Sequence, residues 1–181
     1  MRRFGRVLMM LTATVLSTAL LAGAASAEGE TPTVADRGAM ESEFSSLINQ
    51  LRASKGLAPL RVDLRLVDTA RSWSGTMAGQ ARIWHNPNFP AQAPATWERL
   101  GENVGVGPDG AVGGIHDAFV ASPTHYANLV DGQFTMVGIG IQQAGDQMFV
   151  TEHFMNEKVV APKATRKSRF KVRRYGRVRR R

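Results

Sequence analysis

Four histidines, His85, His116, His125 and His153, and one carboxylate set among glycines, Glu102 of GENVG, are the residues of this chain best suited to chemistry. The 181 residues contain no cysteine, which excludes thiolate chemistry and disulfide cross-links. Two imidazoles and a carboxylate brought together could hold Zn²⁺ and leave a coordination position open. No close-spaced metal motif such as HExxH is present, so spacing alone does not select the histidines. The glycines around Glu102 let backbone come close to a site. They do not make a phosphate loop, because no GK[ST] follows them. A serine nucleophile on a glycine-flanked elbow is also missing.

His125 stands in SPTHYANLV, where Ser122 suits an N-cap and Pro123 the first helical position. A helix N-terminus carries partial positive charge and disfavours an imidazolium. His125 is therefore either a neutral imidazole with a lone pair free for a metal or for proton transfer, or an incidental surface residue.

The elements that must position these groups follow from periodicity. Phe44, Leu47, Ile48 and Leu51 form one helical stripe, ended by Lys55-Gly56 and Pro59. A second helix begins at Asp63 as N-cap and buries Leu66, Ala70, Trp73 and Met77, with Val67 and Ala78 alongside. His85 opens a proline-rich loop over residues 85–96, and Glu102 lies in a short strand or extended turn over 99–107. A third helix over 111–121 leads into the short helix of His125. Alternation over 134–142, with Val137, Ile139 and Ile141 on one face, resumes in QMFVTEHF after Ala144-Gly145-Asp146, which reads as a β-hairpin. Glu152 and His153 must then point to opposite faces, so at most one can line a cleft. Helices followed by an antiparallel hairpin predict an α+β fold.

The two ends differ from this middle. A basic MRRFGR, an apolar run and Ala25-Ser26-Ala27 make residues 1–27 a secretory signal peptide, and 28–40 a polar lead-in to a domain over 41–157. The net charge of +8 is unevenly distributed. Residues 28–160 hold fifteen acidic side chains against nine basic ones, whereas 161–181 hold eleven basic and no acidic. The basic balance thus belongs to the ends and implies no nucleic-acid surface on the domain. A tail over 158–181 carrying Arg173, Arg174, Arg179, Arg180 and Arg181 is expected to be disordered in isolation and to attach to an anionic cell-wall polymer or lipid surface, with nucleic acid as a further polyanion. Phe170 and Tyr175 could add stacking or interfacial contacts.

The run INQLRASKGLAPLRVDLRLVDTARSWSGTMA resembles the opening of bacterial CAP domains, also called SCP domains, with their N-x-x-R, GL-x-P-L and D-x-x-L. RLGENVG resembles the family's GEN segment, SPTHYANL its S-P-x-H-x-x-N-L, and MVGIGI with TEHF its closing strand pair. In the second of these Phe119 stands where the family has tryptophan. The resemblance implies a three-layer α-β-α sandwich with a central antiparallel sheet. It implies a cleft where His85, His125 and Glu102 bind a divalent metal, zinc foremost, with Asn103 and Asn128 as supports. It leaves the family's second acid without a counterpart, although His116 and Asp117 lie near the right region, and it puts His116 and His153 outside the inner group. The function expected is that of a secreted monomer, extracellular or cell-wall associated. Its cleft would bind a small ligand, lipid or peptide without catalysis. The alternative is a metal-dependent, peptidase-like hydrolase with Glu102 as catalytic general base.

Overall fold

A computed structural model describes residues 34–158; the signal peptide expected over 1–27, residues 28–33 and the tail expected beyond residue 158 lie outside the described residues. The elements run α1 (Val34–Ser54), β1 (Arg61–Val62), α2 (Leu64–Gly79), α3 (Phe89–Gln92), β2 (Trp97–Pro108), α4 (Val112–Ala121), α5 (Pro123–Leu129), β3 (Met136–Ala144) and β4 (Gln147–Glu157). The sheet order is β1-β3-β4-β2. β2, β3 and β4 are antiparallel, whereas the two residues of β1 pair in parallel with β3, so the central sheet is mixed rather than purely antiparallel. No described helix is long and apolar enough to cross a membrane.

Period-two alternation sends each strand's side chains to two different layers. On one face Val137, Ile139, Ile141, Val150 and Phe154 pack with Phe44 and Ile48 of α1, Ile115 and Phe119 of α4 and Leu129 of α5. On the other, Met136 and Met155 meet Leu66 of α2 and Phe89 of α3, and Val104 and Phe149 meet Met77 of α2. This is an α+β sandwich with helices on both sides of the sheet. α2 lies directly on β3 because Gly138 and Gly140 have no side chain there; a Cβ on Gly140 would stand 2.1 Å from the backbone of Ala70 and Arg71. Ser74 fixes the same contact by donating to Gly140 O at 2.8 Å, with its oxygen also 2.8 Å from the Thr151 hydroxyl.

The N-x-x-R of α1 acts as a clamp on the loops. Asn49 exchanges two hydrogen bonds with the backbone of Leu60, at 2.8 and 3.1 Å. Arg52 is 1% exposed and donates to the carbonyls of Ala58, Leu129, Asp131 and Phe134. A buried guanidinium is tolerated because its donors meet oxygens that would otherwise be unpaired.

Several sequence expectations change at their edges. α1 starts at Val34, inside the segment expected to be a polar lead-in. The proline-rich loop contains a one-turn helix, α3, with Pro90 near its start. The GENVGVG segment belongs to a twelve-residue strand. Asp63 caps α2 as expected, accepting from Arg65 N at 3.0 Å. Ser122 precedes α5 but makes no side-chain cap, its hydroxyl pairing with Thr124 instead. The hairpin turns at Gly145, whose φ of +60° suits a residue without Cβ.

Candidate functional site

The site is built around two cross-strand pairs, Glu102 with His153 and Asn103 with Glu152, in the register of β2 and β4. Alternation puts Glu102 and His153 on the α2 face and Asn103 and Glu152 on the α5 face. β2 is an edge strand, so groups from both faces can meet around its free side.

Glu102 is 8% exposed at its side chain and holds three donors. Its Oε1 lies 2.7 Å from His85 Nδ1 and accepts the amide of Asn86 at 2.9 Å. Its Oε2 lies 2.9 Å from His153 Nε2. Burial raises the pKa of this carboxyl, but the hydrogen bonds from His153, the Asn86 amide and His85 outweigh burial and hold it below the usual range. Asn86 also closes its own loop, accepting from Asn88 N at 3.0 Å and donating to Gln92 at 2.8 Å. The loop carrying His85 is thereby tied to the strand carrying Glu102, while the His85 ring itself stays 67% exposed.

On the other face Asn103 is fully buried and donates to Glu152 Oε2 at 2.9 Å and to the carbonyl of His125 at 3.2 Å. Asn128, one turn after His125, donates to Asn103 Oδ1 at 2.8 Å and to the carbonyl of Glu102 at 3.1 Å. Together these amides fasten α5 to β2. The His125 ring is half-buried against Phe119, with centroids 5.0 Å apart. Its pKa is lowered, first by burial and then by the charge of His85, so the ring is neutral at physiological pH. The neutral reading of His125 holds, but its cause is burial and the neighbouring histidine rather than the start of a seven-residue helix. His85 lies near enough to His125 for its charge to act on that ring.

His153, expected outside this group, is its innermost member: fully buried, stacked on Phe89 at 3.7 Å and 10°, with Nδ1 3.0 Å from Thr69 Oγ1. Glu152 contacts the site only through Asn103. Its complete burial pushes its pKa up to about 8, against the opposing hydrogen bond from Asn103. Glu152 Oε1, His125 Nδ1 and His116 Nδ1 are buried without a partner among the described residues. His116 lies buried in α4, and no described hydrogen bond joins it or Asp117 to His85, Glu102 or His125. Only the strand register could have revealed His153 and Glu152.

The donor set fits a metal only in part. Among the described residues no three His, Asp or Glu side chains form a group that could hold an ion. The expected trio fails at Glu102, whose Oε1 is saturated by two donors and whose Oε2 is turned toward His153. What remains is a pair of imidazoles, one exposed and one neutral. In metal proteins a ligating histidine usually gives its other N–H to a carboxylate, which is the contact His85 makes with Glu102.

A four-stranded sheet between two helical layers defines the class. The sequence profile of the CAP, or cysteine-rich secretory protein, family matches residues 46–155, and the chain belongs to that family. Similar folds include an outer surface protein of Borrelia burgdorferi, 18% identical with a TM-score of 0.62 over 68% of this chain and 96% of that one. An extracellular SCP-domain protein of Bacillus anthracis is 21% identical, with a TM-score of 0.60 over 70% of this chain. A cysteine-rich secretory protein of Staphylococcus aureus is 20% identical, with a TM-score of 0.57 over 71%. The chain spans only 45% and 41% of the latter two proteins. No curated protein is significantly similar in sequence.

Proposed function

We propose that this chain is a secreted, non-catalytic binding module whose His85–His125 pair takes a divalent ion, zinc by ligand chemistry. Water or an extracellular ligand fills the remaining positions of the ion. The observation that carries this reading is the 2.7 Å contact of Glu102 with His85 Nδ1, which leaves the ring's other nitrogen for a ligand. The signal-peptide pattern and the extracellular or surface standing of similar proteins support secretion. An apolar groove of about 370 Å³ between α4 and β2, lined by Gly105, Gly107, Ile115 and Phe119, supports a ligand with an apolar part. Phe119 lines that groove and also meets His125.

The hydrolase reading gains nothing from the geometry. A general base works best with a pKa near the operating pH, and that of Glu102 is lowered rather than raised. The test is metal analysis of the folded protein after equilibration with a mixture of divalent cations. Wild type should retain zinc and His125→Ala should not. Equal retention in both would remove the pair from the account.

A further inference from the structure

We propose that His153 is the positioning residue that decides which ring nitrogen of His85 faces solvent, acting through Glu102. The inference deepens the reading of His85 as a ligand.

The argument follows the hydrogen atoms along one chain of contacts. Thr69 has a single hydroxyl hydrogen, and Thr69 Oγ1 donates it to the carbonyl of Leu66 at 2.9 Å, a bond within its own helix. The same oxygen lies 3.0 Å from His153 Nδ1, where the direction of the hydrogen bond follows the tautomer of the ring. His153 Nε2 meets a carboxylate oxygen of Glu102 at 2.9 Å, and a carboxylate only accepts, so Nε2 is the donor of this bond. Both ring nitrogens are thus committed. The ring is clamped flat against Phe89 at 3.7 Å and is fully buried, which leaves it no other orientation. With Oε2 held from beneath and Oε1 accepting the Asn86 amide, the Glu102 carboxylate cannot rotate. It presents Oε1 to His85 at 2.7 Å and requires the proton on Nδ1. Nε2 of His85 is left as a bare lone pair on an exposed ring, which is the atom that ligates a metal or accepts a proton. His153 never reaches the surface itself.

The test is a long-range ¹H–¹⁵N correlation spectrum of the labelled full chain, without metal, at a pH where His85 is neutral. Leaving metal out lets the tautomer claim fail without touching the ion-binding reading, and the reverse. Wild type should show His85 predominantly as the Nδ1–H tautomer. In His153→Leu the Glu102 carboxylate loses its inner donor, and His85 should shift to a mixture of both tautomers. His153→Gln keeps an amide donor and should restore the wild-type pattern, which a mere packing defect would not do. If His153→Leu does not fold, Thr69→Val removes only the hydrogen-bond partner behind the ring and should give a partial shift. An Nε2–H tautomer in wild type, or an unchanged His85 in both His153→Leu and Thr69→Val, would overturn the proposal.

Discussion

Glu152 and Glu102 are fifty residues apart in sequence and occupy neighbouring positions on paired strands, yet their environments drive them in opposite directions. Glu102 meets three donors and stays ionised; Glu152 meets one, from Asn103, and is driven toward the neutral acid. The sign of the consequence follows from linkage. A group whose folded pKa is about 8 against an ordinary value near 4.5 contributes stability in full below pH 4.5, and that contribution is lost as pH rises through about 8. Glu152→Gln, with the same shape and no titration, should therefore gain stability relative to wild type as pH is raised from 5 to 8. The gain approaches about 1.4 kcal/mol per pH unit at full shift. Parallel urea titrations of both proteins at three pH values read it directly. A constant difference across that range would mean that Glu152 ionises normally in the fold. Sequence showed His85, Glu102 and His125 through the motifs around them, because loops and helix starts carry local signals. It did not show His153, whose role comes from a strand register that pairs it with Glu102 and from a helix that brings Thr69 against it.

At the level of elements, periodicity and turn chemistry were enough to read α1, α2, α4 and the β3–β4 hairpin. Two features escaped. β1 has only two residues and exists because Arg61 and Val62 pair with the start of β3, a tertiary event with no local pattern. β2 reads only as a short strand or extended turn over 99–107 because three of its twelve residues are glycine, and β-propensity is overridden by pairing with β4 along its length. The N-x-x-R motif has a clear duty in this frame. Arg52 satisfies four carbonyls from loops that follow β1-proximal and α5-proximal turns, so its loss leaves buried oxygens unpaired at about 1–3 kcal/mol each. Arg52→Ala should destabilise the domain by about 3 kcal/mol or more. Arg52→Lys should rescue little, since one ammonium cannot reach the span of a guanidinium fork. Thermal denaturation checks both, and a loss under about 1 kcal/mol for Arg52→Ala would show that water replaces the clamp.

At the scale of the whole molecule the charge divides between a mildly acidic domain and a basic end. Eleven positive charges over residues 161–181 should bind polyanions with a strong salt dependence, because neutralising anionic sites releases counterions. Removing those residues should abolish low-salt co-sedimentation with anionic vesicles or cell-wall polymer without lowering the melting temperature, since β4 ends at Glu157. Retention by the truncated protein would move the interaction onto the domain. The central claim, however, concerns the paired imidazoles, and zinc-dependent melting tests it most directly. An ion that binds only the folded state stabilises it by mass action, by about 2.7 kcal/mol at a hundredfold excess over Kd. Zn²⁺ should raise the wild-type melting temperature at pH 7.5, the gain should fade toward pH 5 as protons compete for the rings, and His85→Ala combined with His125→Ala should show no gain. An equal zinc-induced gain in that double variant would contradict the account.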